Sequence, residues 1–496
     1  MGDTTGLVGA GLVGDHRPQV RDGWIFYGLL ALLVWAPMPL ASNRTWGMGI
    51  LAAWTAVLLV GVTVAWRRDA EMAFSRLNEF RWPLVFLGGF VLLAFLQTLP
   101  LPAGVVALLS PESYKVQSAA GLIVSALPMH LSIDVFQSRI FFTLSLVYFV
   151  AFALTALLTR DSARVETLAQ TLVWSGLLQA LIGVLLFSLR AHYQLFFTQL
   201  NHDRVIGTFV NYNHFAGYME MCLSVGIGLM LSRLGSGKPT QGGWRQRMVS
   251  GLAFLISSKM RLRLVLVVMV IGLVLTSSRM GNTAFFASML VVGLVAIALS
   301  RHAAPAMVAL IVSLVVIDVF VIGTWVGLEK VVNRIQETTI ITQQNRHEDS
   351  VEQRTEPAVY AMALVRDFPV FGSGGGSFYN AFARYRPPDI SAFYDHAHND
   401  YAEIACDTGL LGISLLGGVV VLVMGQALRV LYRRHSSLPR GMAFAGLMAI
   451  VALGIHSTVD FNLQIPANAL TFTVILALAW SAAILPSRRK KVKQQI

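Results

Sequence analysis

Apolar stretches of about 17 to 25 residues, the length a helix needs to cross a bilayer, recur along this chain between short polar or basic segments. The pattern predicts twelve transmembrane helices, at roughly 24–41, 48–65, 82–99, 139–158, 167–189, 213–232, 263–276, 282–299, 305–326, 408–428, 442–462 and 466–485. This is an all-α polytopic integral membrane protein in which 24–485 form one transmembrane domain. Residues 1–23 and 486–496 are expected on the cytoplasmic side, and 327–407 form one large loop on the outer face. The first span is expected to be retained, because the residues ahead of it lack the apolar core of a leader peptide.

Composition agrees with this pattern. Only 13% of the 496 residues are charged and 55% are hydrophobic, whereas soluble chains carry roughly 25% charged residues. A net charge of +12 would suit nucleic acid, but its distribution follows the membrane. With both ends inside, the inside segments hold 25 of the 38 Lys and Arg, against 6 in the short outside segments. That asymmetry is the positive-inside rule, so no nucleic-acid partner is expected. The basic segment 233–263 reads as a surface for anionic lipid headgroups. Cys222 and Cys406 have neither disulfide nor metal-site spacing and read as packing residues.

Polar chemistry collects at the outer ends of the spans. The densest cluster runs from 393 to 412, with His396, His398, Asn399, Asp400, Glu403 and Asp407. The spacing of the three carboxylates places them on one face of a helix, with Asn399 or Asp400 as its cap. The apolar run from Gly409 is expected to continue that helix. Two readings of the carboxylates stand side by side: they orient a histidine or bind sugar hydroxyls, or they cap and pack the start of a span.

Ahead of the sixth span, a loop carrying Arg204, Asn211, Asn213 and His214 suits sugar hydroxyls or phosphate; its plainer reading is a solvated loop with Asn caps. Arg279, in a tight turn between the seventh and eighth spans, either faces an anion or aqueous cavity or snorkels to the interface. Arg44 and Trp46 read as an interfacial anchor pair. The eleventh span ends on His456, Asp460 and Asn462, and ionisable groups at that depth usually face a polar cavity. Segments 105–109 and 122–127 suggest short helices at the membrane surface. A helix is expected over 348–366, with Arg354 just ahead of Pro357. The glycine-rich stretch 371–378 reads as a flexible hinge, with amides that are candidates to face a phosphate. It is not a P-loop, since no Gly-Lys-Ser/Thr follows.

His398-Asn399, then nine residues, then Gly409 resembles the signature of the O-antigen ligase superfamily. That group holds O-antigen ligases, O-antigen and exopolysaccharide polymerases, and protein O-oligosaccharyltransferases. The run from Gly207-Thr208-Phe209 to Asn213, the Ser278-Arg279 turn, Arg354, the 369–376 segment and the Asp460 to Asn462 stretch look like family features in the family's order. The resemblance implies a GT-C-type glycosyltransferase of the bacterial inner membrane, active on the periplasmic side, whose donor is a glycan on undecaprenyl pyrophosphate. It implies His398 as catalytic base, Arg279 and Arg354 as pyrophosphate-binding residues, and inverting transfer with no metal or other cofactor. The acceptor is expected to be lipid A core, for a ligase, or a second lipid-linked glycan, for a polymerase; membrane lipids surround both.

Those residue types suit the reaction. An unperturbed imidazole, with a pKa near ~6.5, serves as a neutral base, and arginine forks stabilise charge growing on a leaving phosphate. Arg204, Asn211, Asn213, His214, His396, Asn399, Asp400, Glu403, His456, Asp460 and Asn462 are the expected substrate-binding residues. His396 leaves open which imidazole is the base. The rivals are protein O-glycosylation from the same donor and a transporter or flippase. Transporters hold substrate near the bilayer midplane, whereas Arg44, Arg204, Arg279, Arg354, His398 and Asp460 all map to the outer face.

Overall fold

The computed structural model describes residues 22–121, 128–191, 193, 204–233, 258–299, 312, 351–387 and 394–486. Regular structure among them is helical. In chain order the helices are α1 Gly23–Trp35, α2 Thr45–Trp66, α3 Ala70–Asn78, α4 Arg81–Gln97, α5 Ala103–Leu109, α6 Pro111–Gly121, α7 Val135–Leu158 and α8 Ser162–Ser188. There follow α9 Tyr212–Ser232, α10 Ser258–Leu275, α11 Arg279–Ala298, α12 Val351–Asp367, α13 Phe378–Phe382, α14 Asp400–Arg433, α15 Ser437–His456 and α16 Pro466–Ile484.

Eight of the described helices (α2, α7, α8, α9, α11, α14, α15 and α16) are long and apolar enough to cross a membrane. A ninth is added if α3 and α4, bent by 90° at their junction, are taken as one span. The chain is a multi-pass membrane protein, and the twelve expected spans map onto these elements as follows. The first, 24–41, corresponds to α1, which stops after 13 residues where Pro37 and Pro39 prevent its continuation. The seventh lies in α10, whose early turns carry Arg261 and Arg263. The ninth, 305–326, falls outside the described residues except at position 312. Of the expected surface helices, 105–109 lies in α5 and 122–127 is outside the described residues; the helix expected over 348–366 is α12.

α9 is the axis of the bundle. Every residue from Asn213 to Met230 is buried, with α8, α10, α11, α15 and α16 packed around it. A helix apolar on all sides belongs in the centre of such a bundle. At one end of the bundle Asp22 is buried against Arg164 (2.6 Å) and Arg160 (3.2 Å), which fastens α1 to α8.

At the other end a second, smaller apolar cluster forms from Leu364 of α12, Phe368 just after it, Phe378 and Phe382 of α13, and Ala402 and Cys406 of α14. This cluster corrects the hinge expected at 371–378. Gly372, Gly374 and Gly376 adopt left-handed φ of 73°, 117° and 71°, and the segment they form is tied down on every side. The Gly374 amide donates to the Asp407 carbonyl (3.1 Å) and the Gly375 amide to Gln97 Oε1 (2.9 Å). The Gly376 and Phe378 amides donate to the Asp407 carboxylate at 2.8 and 3.0 Å. The acceptors that these amides face are therefore groups of the protein itself.

The long helix expected through Gly409 also changes. α14 kinks there, with Gly409 at φ 65°, ψ −173°, a conformation essentially restricted to glycine. The amides freed by the kink donate elsewhere, Leu410 to the Pro369 carbonyl (2.9 Å) and Leu411 to Val370 (3.3 Å). A Cβ at 409 would overlap the Val370 carbonyl. Gly409→Ala is thus expected to cost at least about 1–3 kcal/mol from the backbone alone, read as a lowered Tm in detergent. An unchanged Tm would show that the kink is not required.

Candidate functional site

Four chain segments meet at the end of the bundle where α9, α11 and α14 begin and α15 stops. Asn399 caps α14 by accepting from the Ala402 amide (3.0 Å), as its residue type favours. Its own amide group donates to the Thr458 carbonyl (2.8 Å). Asp400 then sews α14 to the turn after α15. Its backbone N–H reaches the Ser457 and Asp460 carbonyls, and its carboxylate accepts from Ser457 Oγ (2.6 Å) and the Leu463 amide (3.1 Å).

Glu403, one turn further along, is committed to the segment ahead of the helix. One carboxylate oxygen lies 2.6 Å from His396 Nδ1 and the other accepts from the Ala397 amide at 2.9 Å. Burial works against a charge on His396, but the Glu403 carboxylate prevails and pushes the imidazole up to about 9. The His396 side chain keeps 27% exposure while Glu403 keeps 3%.

Phe461 is the ring around which this end is arranged. His396 stacks on it at 4.0 Å and 17°. His214 and His398 meet it edge-on at 4.5 and 5.1 Å. His398 is half-buried, holds a left-handed φ of 49°, and has Tyr394 on another side at 6.2 Å.

Behind these rings runs a buried line of acids and imidazoles. Glu220 of α9 lies 2.7 Å from His456 Nδ1, His456 Nε2 is 3.8 Å from Asp460, and Asp460 is 3.2 Å from His214 Nε2. Asp460 also accepts from the Phe461 amide (2.8 Å). Although burial disfavours its charge, the His214 imidazole beside it holds the Asp460 carboxyl below the usual carboxylate range. Asp460 thereby fixes the position of Phe461 and, through it, of the histidines.

The arginine side of the mouth is reached through α9. Asn211 caps α9 and accepts from the Asn213 amide (2.8 Å). Asn213 Oδ1 accepts from Ser278 Oγ (2.7 Å), and Ser278 in turn caps α11 through the Gly281 amide. Arg279 follows as the first residue of α11 and is exposed. Arg204 lies with its guanidinium 4.1 Å from the centre of the Tyr212 ring. Arg354 belongs to the first turn of α12, and its side chain lies outside the described part.

The expected site residues therefore divide. Arg204, Arg279, Asn211, His396, His398 and Asn399 keep exposure at this mouth. Asn213, His214, Asp400, Glu403, His456, Asp460 and Asn462 are buried, and form the frame that sets the others. Asn462, for instance, accepts from Asn468 (3.1 Å) and packs on Gly217. Sequence reading missed Glu220, Phe461 and Gln97. Only Glu220 carried a signal, as a lone carboxylate inside an apolar span.

No curated protein matches the chain. Residues 264–417 match the profile of the O-antigen ligase family. The match takes in α11, α12, α13 and the polar first turns of α14, and so includes Arg279, Arg354, His396, His398, Glu403 and Asp407. His214, Glu220, His456 and Asp460 lie outside it. On this multi-pass helical bundle, whose mouth is lined by imidazole and guanidinium groups, the stretch 264–417 is thus similar to the O-antigen ligase family.

Proposed function

We propose that the protein is a glycosyltransferase of the bacterial inner membrane, with both termini cytoplasmic and its site on the periplasmic side. It moves a glycan from undecaprenyl pyrophosphate to an acceptor hydroxyl. The observation that carries this reading is His398, a half-buried imidazole presented just before the N-terminus of α14, at the bundle end where Arg279 is exposed.

In this mechanism the acceptor oxygen attacks the anomeric carbon as the bond from that carbon to the phosphate oxygen breaks. The configuration inverts, His398 takes the hydroxyl proton, and the lipid pyrophosphate leaves with the bonding electrons. Arg279 and Arg354 stabilise the charge growing on the phosphate, and the positive end of α14 adds to them. With these cations supplied by the chain, the reading assigns no resident metal.

The acceptor decides between ligase and polymerase. In a strain lacking the protein, long glycans are expected to accumulate on undecaprenyl pyrophosphate while lipid A core stays bare, the profile of a ligase. Accumulation of single repeat units would make the acceptor a second lipid-linked glycan and the enzyme a polymerase. Unaltered glycans in both pools would overturn the transferase reading.

A further inference from the structure

Glu403 fixes His396 in a way that leaves one working edge. The ring's Nδ1 is taken by the Glu403 carboxylate at 2.6 Å and one face is covered by Phe461 at 4.0 Å. No bond to Nε2 is seen among the described residues, and the side chain is partly exposed at the mouth. Glu403 cannot turn away, because its second oxygen holds the Ala397 amide. A carboxylate on one imidazole nitrogen fixes the ring's orientation and stabilises its protonated form. The second N–H is then a charge-assisted donor of the kind that meets phosphate oxygens.

We propose that His396, braced by Glu403, is a cationic contact for the donor's pyrophosphate, working beside the arginines, and that it is not a second general base. This role rests on the donor assigned above. It gives the two histidines of the His-Ala-His run opposite duties, with proton removal at His398 and charge binding at His396.

The charged groups around His396 are Glu403 and Asp407 on α14 and Asp395 and His398 on its own segment, with Asp460 and His214 across Phe461. With the carboxylates prevailing over burial, the imidazolium is present at neutral pH and is lost only as pH rises through about 9. Glu403→Gln removes the nearest charge while keeping an acceptor for Ala397. Its His396 should titrate nearer the ordinary value of ~6.5.

The test is binding of undecaprenyl pyrophosphate to the purified full-length protein in detergent, at pH 6 and pH 8. The expected loss in Glu403→Gln is under about twofold at pH 6 and about 30-fold at pH 8, from the imidazolium fractions implied by a titration moving from about 9 to ~6.5. His396→Gln should bind weakly at both pH values, and His396→Arg should bind equally well at both. A loss in Glu403→Gln that is the same at pH 6 and pH 8, or no loss, would overturn the charge role and leave the donor reading intact. Failure of the wild-type protein to bind at either pH would overturn the donor reading, and this role with it.

Discussion

Replacing His398 by Asn is expected to lower glycan transfer by about 10²- to 10⁴-fold, the usual contribution of a positioned general base, while leaving the protein folded. The backbone at 398 has a φ of 49°, which Asn tolerates better than most residues. Asn is therefore a cleaner replacement than Ala, which would add a backbone cost to the loss of the imidazole. The ring is half-buried and meets Phe461 only edge-on at 5.1 Å, so its removal opens no core cavity. Transfer measured in membranes, together with Tm in detergent, separates chemistry from folding. Turnover within about threefold of wild type, against the factor expected of a base, would take the base away from His398.

The largest effect on stability is expected from Asp407→Ala. This residue is fully buried, and its carboxylate accepts the Gly376 and Phe378 amides. Each buried amide left without an acceptor costs about 1–3 kcal/mol, so the pair amounts to roughly 2–6 kcal/mol. That is a large share of a typical stability of about 5–15 kcal/mol. The Gln97 contacts to the Phe371 and Asp407 carbonyls would be strained in turn. Asp407→Asn keeps an acceptor for one of the two amides and should lose less than Ala. Thermal unfolding in detergent, paired with proteolysis over 371–387, checks this expectation. An Ala variant with wild-type Tm and protease resistance would show that the glycine-rich segment is held by other contacts.

Much of the site was legible because the signals were local. The Asn399 cap, the common face of Asp400, Glu403 and Asp407, and the Ser278-Arg279 turn all follow from neighbours within about two helical turns. The partners of those carboxylates were not legible. Asp400 finds Ser457 and Leu463, and Asp407 finds the amides of 376 and 378, pairings that spacing does not encode. Gly409 misled for a similar reason. The hydropathy of 409–433 is continuous, and the kink arises from the contact with Val370. The stretch 371–378 read as a hinge because glycine signals conformational freedom, whereas here it permits the unusual φ values of a buried, fully bonded turn. Glu220 and His456 are 236 positions apart, and only the packing of α9 on α15 joins them.

Phe461 sets a limit on how this mouth can be redesigned. One apolar ring is the common wall for His214 and for the His396 and His398 pair, which arrive from two separate parts of the chain. Changes at these three positions share a tolerance and will not combine additively. A library that varies the histidines for a new acceptor while freezing position 461 explores a single geometry; one that varies 461 with them can move the whole cluster together.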